Sequence, residues 1–294
     1  MVHFGEAERI IKRYFSLGQD VSFLGQPFVV EKVGKPTCNK GEPKTDIYLL
    51  LRNETQSQEI KISYKKDNAD FLENKIKDER AEQIFGCDWQ KIIEQSTQQI
   101  KTNFLTRPLI FKEGFSRTEK GAITLGWKFE LMNKISGELS GRILLNKSQL
   151  VDVYAGTHLP MDKQHATVNN EVISYSGVAN YILIGQSFLS AQDVLDNIIA
   201  IPDYVEKYPD IYFACKALNY RTFKQKFDGN RPLAVQINWQ VIENKLIPEF
   251  IFNLPLKWNG NDVAEQLKMC LEKLNINTTD DINEQNAQLD YIYQ

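Results

Sequence analysis

Thr45-Asp46-Ile47-Tyr48-Leu49-Leu50-Leu51-Arg52 begins with an acid and continues as an apolar, β-favouring run. The polar stretch Arg52 to Gln58, rich in Asn, Glu, Gln and Ser, suits a chain reversal, and Glu59-Ile60-Lys61 follows in a second strand-like segment. Alternate strand residues share a face, so Glu59 and Lys61 project to one side. A hairpin is expected to bring Asp46 beside Glu59. Two carboxylates offer the hard oxygen ligands that suit Mg²⁺, which keeps several waters for a phosphate or a nucleophile to share. An ammonium at Lys61 then orients the attacking water and offsets charge on a phosphorane.

Asp46 followed by Glu59-Ile60-Lys61 resembles the PD-(D/E)XK nuclease core shared by many type II restriction endonucleases, over roughly the first third of the chain. Thr45 stands where Pro is usual, with Pro43 two residues earlier. The resemblance implies an α/β fold, a restriction-endonuclease-like core in which a mixed central sheet is flanked by helices. It implies Asp46, Glu59 and Lys61 as catalytic residues, with Asp46 and Glu59 as Mg²⁺ ligands. In that superfamily an N-terminal helix often adds an acidic ligand. Glu6 to Phe15 has helical periodicity in the corresponding place, with Glu8 the better candidate and Glu6 the reserve. The competing role for either is a solvated helix-start carboxylate.

Beyond the triplet, Lys65 shares the face of Glu59 and Lys61, and Lys65 and Lys66 are candidate phosphate contacts. Asn68 opens a helical-looking run from Ala69 to Phe85, where free backbone N–H groups suit a phosphate and Asn68 equally suits an N-cap. The order helix, strand, hairpin, strand, helix is that of the superfamily core.

The 294 residues suffice for one large domain or two modest ones. No apolar run approaches the roughly 20 residues a membrane span requires, and the charged N-terminus lacks a signal-peptide core, so the expectation is a cytoplasmic protein with no membrane partner. Cys38, Cys87, Cys215 and Cys270 form no C-x-x-C pair, and His3, His158 and His165 are too few for an imidazole cluster, which leaves oxygen ligation. The net charge of −3 argues against a uniformly basic nucleic-acid binder. Lysines and arginines nevertheless gather at Lys61 to Lys77, Arg107 to Lys120 and Lys216 to Arg231, while acids thicken around Asp280, Asp281 and Glu284.

Further along, Trp89 to Phe104 reads as a helix and Lys147 to Gly156 as a short one. Ala122 to Met132, Leu139 to Leu145, Val172 to Tyr175, Tyr181 to Ile184, Ile211 to Ala217, Leu233 to Trp239 and Ile247 to Leu254 read as strands, and Asp262 to Leu274 as a closing helix. Thr157 to Asn170 reads as a long polar loop in which His158, Lys163, Gln164 and His165 are candidate DNA contacts. Asn219, Arg221, Lys224 and Arg231 form a second candidate set, since Arg reads guanine and Asn or Gln reads adenine.

These features divide the chain into a catalytic core at 1–106, a β-rich recognition and core-completing region at 107–274, and an acidic, loosely ordered tail at 275–294. The expected function is Mg²⁺-dependent cleavage of double-stranded DNA at a specific sequence, by a chain that suits a homodimer and functions alongside a cognate DNA methyltransferase. Two alternatives use the same residues. One is a repair or structure-selective nuclease. The other is a non-catalytic nucleic-acid-binding protein in which Glu59 and Lys61 are a surface ion pair worth under about 1 kcal/mol.

Overall fold

The computed structural model describes residues 4–66 and 71–294. Asn68 lies outside the described residues. Internal contacts divide the chain into two compact units, Met1–Asp70 with Leu145–Pro209, and Phe71–Leu144 with Asp210–Gln294. The chain therefore passes between units three times, whereas the sequence suggested breaks after 106 and 274.

The first unit is built on a six-stranded mixed sheet. Strands β1 (Asp20–Phe23), β2 (Gln26–Gly34), β3 (Ile47–Arg52) and β4 (Ser57–Lys65) run antiparallel in sequence order. Tyr181–Ile184 adds parallel to β4, and Ile199–Ala200 closes the far edge antiparallel. Period-two alternation sends Ile47, Leu49 and Leu51 of β3 and Ile60, Ile62 and Tyr64 of β4 to one face. There they share a core with Ala7, Ile11 and Phe15, with Val21, Phe23, Phe28 and Val30, and with Val194 and Leu195 of helix Ala191–Asn197. Helix α1 (Phe4–Arg13) thus buries Ala7 and Ile11, one turn apart, and carries the adjacent Glu8 inward while Glu6 remains exposed.

The β3–β4 turn is a local construction. Asn53 accepts the backbone N–H groups of Thr55 and Gln56 through its side-chain oxygen, and its own N–H donates to the Gln56 carbonyl. Helices Lys147–Ala155 and Ile201–Lys207 pack together with Tyr154 edge-on to Tyr204 at 5.2 Å. The first of these carries a capping box from Asn146 and Gln149 and ends at Gly156 in the left-handed region.

The second unit is β-rich. The long strands Ile211–Arg221, Ala122–Met132, Val235–Ile242 and Lys245–Ile251 form the spine of a nine-stranded sheet, against which helix Gly260–Lys273 packs. Ala122–Met132 is buried on both faces except at Lys128, and Trp127 meets Phe104 at 4.9 Å and stacks on Phe250.

Two expectations change here, and a third, the strand at Leu139 to Leu145, is present in shortened form. Part of the helical-looking run from Ala69 to Phe85 is strand Phe71–Glu73, which pairs with Ala122–Met132, and the helix begins only at Asp78. Strand Ser140–Ile143 pairs with Ile211–Arg221. The C-terminal stretch is ordered: Ile276, Ile282 and Ala287 are buried, and Ile292–Tyr293 pairs parallel with Ile110–Phe111. Apolar anchors spaced through a polar segment supply its fixed path.

Candidate active site

Register decides which polar side chains meet. The turn clamped by Asn53 pairs Arg52 with Ser57, and the ladder continues through Leu50 with Glu59, Tyr48 with Lys61 and Ile47 with Ile62. Asp46, one step further, lies across from Ser63: its N–H donates to the Ile62 carbonyl at 2.8 Å, and its Oδ2 accepts the Tyr64 N–H at 2.8 Å. Asp46, Tyr48 and Leu50 share a face with Glu59, Lys61, Ser63 and Lys65. Asp46 is nevertheless four residues from Glu59 along the ladder, about 13 Å at strand rise. The hairpin is present, but it does not set Asp46 beside Glu59.

Two separate polar clusters result. The first surrounds Asp46. Glu8, only 7% exposed, forms a 2.6 Å ion pair with Lys35, which follows directly on the last residue of β2. Desolvation pushes the Asp46 carboxyl up to about 6, and the neighbouring Glu8 charge adds to this; Lys65, the Tyr64 N–H and Lys35 act in the opposite direction. Burial works against the charged form of Lys35, but its bond to Glu8 and the charges of Glu8, Asp46 and Glu42 outweigh it and raise its pKa. Two hydroxyls flank Asp46, Thr45 Oγ1 before it in the chain and Ser63 Oγ across from it. Both are buried without a hydrogen-bond partner.

The second cluster surrounds Glu59. Tyr48 donates its phenolic hydrogen to Glu59, and Lys61 Nζ lies 3.7 Å from Glu59 Oε2. Burial, then the Glu59 hydrogen bond and charge, push the Tyr48 phenol well above its ordinary range. Asn180 holds the strand beneath: its Oδ1 accepts the Lys61 N–H at 2.7 Å, its Nδ2 donates to the Glu59 carbonyl at 2.9 Å, and its own N–H donates to the Lys61 carbonyl.

Of the sequence-derived ligands, Glu8 therefore lies within electrostatic reach of Asp46, and Glu59 sits with Lys61. Among the described residues no group of three or more His, Cys, Asp and Glu side chains is gathered to hold a metal. Glu8 and Asp46 are two hard carboxylates, and the unpartnered Ser63 hydroxyl lies on the face of Asp46, a donor set that fits Mg²⁺, which uses one or two carboxylates and keeps water for its remaining positions. Lys35 and Ser63 were not singled out from sequence. The signal for Ser63 was the register and that for Lys35 the contact with Glu8 of α1, neither of which composition carries.

The candidate DNA contacts are largely engaged within their own units. The loop from Thr157 contains helix Met161–Gln164 and the strand pair Thr167–Val168 with Glu171–Val172, so it is braced. His158 is exposed, and its backbone N–H donates to the wholly buried Asp152 at 2.7 Å. Gln164 Nε2 donates to the Leu159 carbonyl, and His165 Nδ1 accepts the Tyr175 N–H. Lys163 is half-buried, and its carbonyl lies so close to Gly177 that a Cβ there would sit 1.8 Å away. In the second unit, Asn219 bonds Asp228 and Thr124, Arg221 lies 2.7 Å from Glu119 and 2.6 Å from Asp228, and Lys224 lies 2.7 Å from Glu119. Arg231 is half-buried, and its carbonyl accepts the Gly260 N–H. Lys66 is half-buried at the end of β4.

The acidic stretch also meets one of the basic clusters. Lys120 lies 3.4 Å from Asp280, and Lys112 donates to the Ile282 carbonyl at 2.6 Å. A groove of about 880 Å³ opens at the opposite end of β3 from Asp46, lined in part by Leu17, Phe28, Val29, Arg52 and Thr55.

Comparison with descriptions of known families, with curated proteins and with solved structures finds no match. No helix among the described residues is long and apolar enough to cross a membrane.

Proposed function

We propose that this chain is a Mg²⁺-dependent endonuclease that hydrolyses duplex DNA at a specific sequence, a type II restriction enzyme on a restriction-endonuclease-like core. The observation that carries this reading is the ion pair that Lys35 makes with Glu8, from the helix ahead of the strands, within electrostatic reach of Asp46 at the head of β3, on which the charge of Lys65 also acts. The PD-(D/E)XK resemblance implied an acidic ligand from that helix. The mixed sheet, with α1 on its apolar face, also agrees with it.

In this reading Glu8 and Asp46 hold the metal. Bound there, Mg²⁺ would supply Lewis-acid polarisation of a phosphate oxygen and a more acidic water. Lys65 is the cation assigned to the reacting phosphate, taking the part that the motif alone gave to Lys61, because it shares the face of Asp46 and its charge acts on that carboxyl. Ser63 Oγ lies on the same face, buried and without a partner. Glu59, Lys61 and Tyr48 hold one another and brace the strand. Lys66, Lys163 and His158 in the first unit, and Arg231 in the second, are the proposed backbone or base contacts. Asn219, Arg221 and Lys224 reach DNA only by exchanging their carboxylate partners. A homodimer suits palindromic sites, and a cognate methyltransferase protects the host sequence.

Digestion of plasmid and phage DNA with and without Mg²⁺ is the test. Discrete Mg²⁺-dependent bands that vanish in Asp46→Asn support the proposal. Cleavage confined to branched DNA or RNA would assign the same centre to a structure-selective nuclease. Binding without cleavage of any substrate would assign a non-catalytic role.

A further inference from the structure

The Glu8–Asp46 pair carries its own cation. Lys35 follows Gly34, where a Cβ would come within 2.5 Å of Val168 Cγ1, so the backbone that launches Lys35 is held tightly against the Thr167–Val168 strand. From there its ammonium lies 2.6 Å from Glu8 Oε2 and is attracted by Asp46 and Glu42. Glu8 is almost completely buried, whereas the Lys35 side chain is 36% exposed. The carboxylate is fixed, and the four-carbon stem has room to swing towards solvent.

Resting on the reading that Glu8 and Asp46 hold a divalent cation, we propose that Lys35 is a resident counter-cation that occupies this carboxylate pair and competes directly with the metal. The ammonium against Glu8 Oε2 occupies one acceptor position of that carboxylate, and its charge repels a divalent ion brought to the same group in a partly desolvated setting. Metal entry is therefore favoured by departure of the ammonium. With the ammonium in place before the metal arrives and the metal in place after it, neither end state leaves the buried carboxylates without a counter-charge. Metal affinity is set below what the bare carboxylates would give.

The test is calorimetric titration of EDTA-treated protein with Mn²⁺, using full-length wild type, Lys35→Met, Lys35→Gln, Lys35→Arg, Glu8→Gln and Asp46→Asn, each checked for folding by circular dichroism. The expected result is about tenfold tighter Mn²⁺ binding in Lys35→Met and Lys35→Gln, near-wild-type binding in Lys35→Arg, and loss of binding in Glu8→Gln and Asp46→Asn. Unchanged or weaker binding in both neutral Lys35 variants, with loss in Glu8→Gln and Asp46→Asn, would overturn the competition while leaving the metal site in place. Mn²⁺ binding that is absent in wild type and in the neutral Lys35 variants, or indifferent to Glu8→Gln and Asp46→Asn, would overturn both the competition and the metal reading beneath it.

Discussion

Along one face of the β3–β4 hairpin, two acids four residues apart on the ladder experience different surroundings. Asp46 sits at the head of the strand pair among Glu8, Lys35, Lys65 and two unpartnered hydroxyls, and its carboxyl is pushed up to about 6. Glu59 sits further along and is satisfied by Tyr48 and Lys61. A cluster with unspent donors and conflicting charges is poised for a ligand. One whose partners are matched is poised to stay as it is. The hairpin thus separates the residues of a single sequence motif into an end with unsatisfied polar groups and an end whose partners are matched.

The largest contrast is expected in cleavage. Asp46→Asn and Lys65→Ala should each lower the rate by on the order of 10³-fold in single-turnover assays, whereas Lys61→Ala and Glu59→Gln should stay within about tenfold of wild type. The reverse ranking would return catalysis to the Glu59 end.

Stability without metal should follow the same division. The raised Asp46 pKa means that its favourable contribution is fully present below the unfolded value of about 4 and is lost as pH rises through about 6. Asp46→Asn should therefore be more stable than wild type by up to about 3 kcal/mol above pH 7 in EDTA, with no gain below pH 4. Denaturant melts across that range provide the check; a pH-independent difference would remove the strained-carboxylate account.

At the end whose partners are matched, Asn180→Ala deletes two side-chain hydrogen bonds to the β4 backbone and should cost about 1–3 kcal/mol by urea denaturation, with wild-type metal affinity. The smallest effect belongs to Tyr48→Phe, about 0.5–1.5 kcal/mol at pH 7, since only the phenolic bond to Glu59 is lost. A loss of cleavage in Tyr48→Phe beyond its stability change would show that the two clusters are coupled.

Much of the fold was legible because the local signals are strong. The alternation in Ile47 to Leu51, the polar turn after Arg52, the helix ending at Gly156 and the closing helix Gly260–Lys273 each follow from side-chain period or cap chemistry. The resemblance pointed to Asp46 and Glu8 as the metal ligands proposed above, and spacing alone paired Glu59 with Lys61. The ladder register was not legible: it depends on Asn53 closing the turn so that Arg52 faces Ser57, and a register set two residues earlier or later moves Asp46 to a different partner. Ser63 gained its role only through that register, and Lys35 only through the contact of the end of β2 with α1. Phe71–Glu73 was hidden for a similar reason, because its pairing partner in Ala122–Met132 is distant in sequence and overrides local propensity.

The most direct measurement is the anomalous difference density of a crystal soaked in Mn²⁺. The account predicts a peak between the Glu8 and Asp46 carboxylates, with Lys35 turned away from Glu8. A peak at Glu59 and Lys61, or Lys35 still bonded to Glu8 beneath a metal held elsewhere, would contradict it.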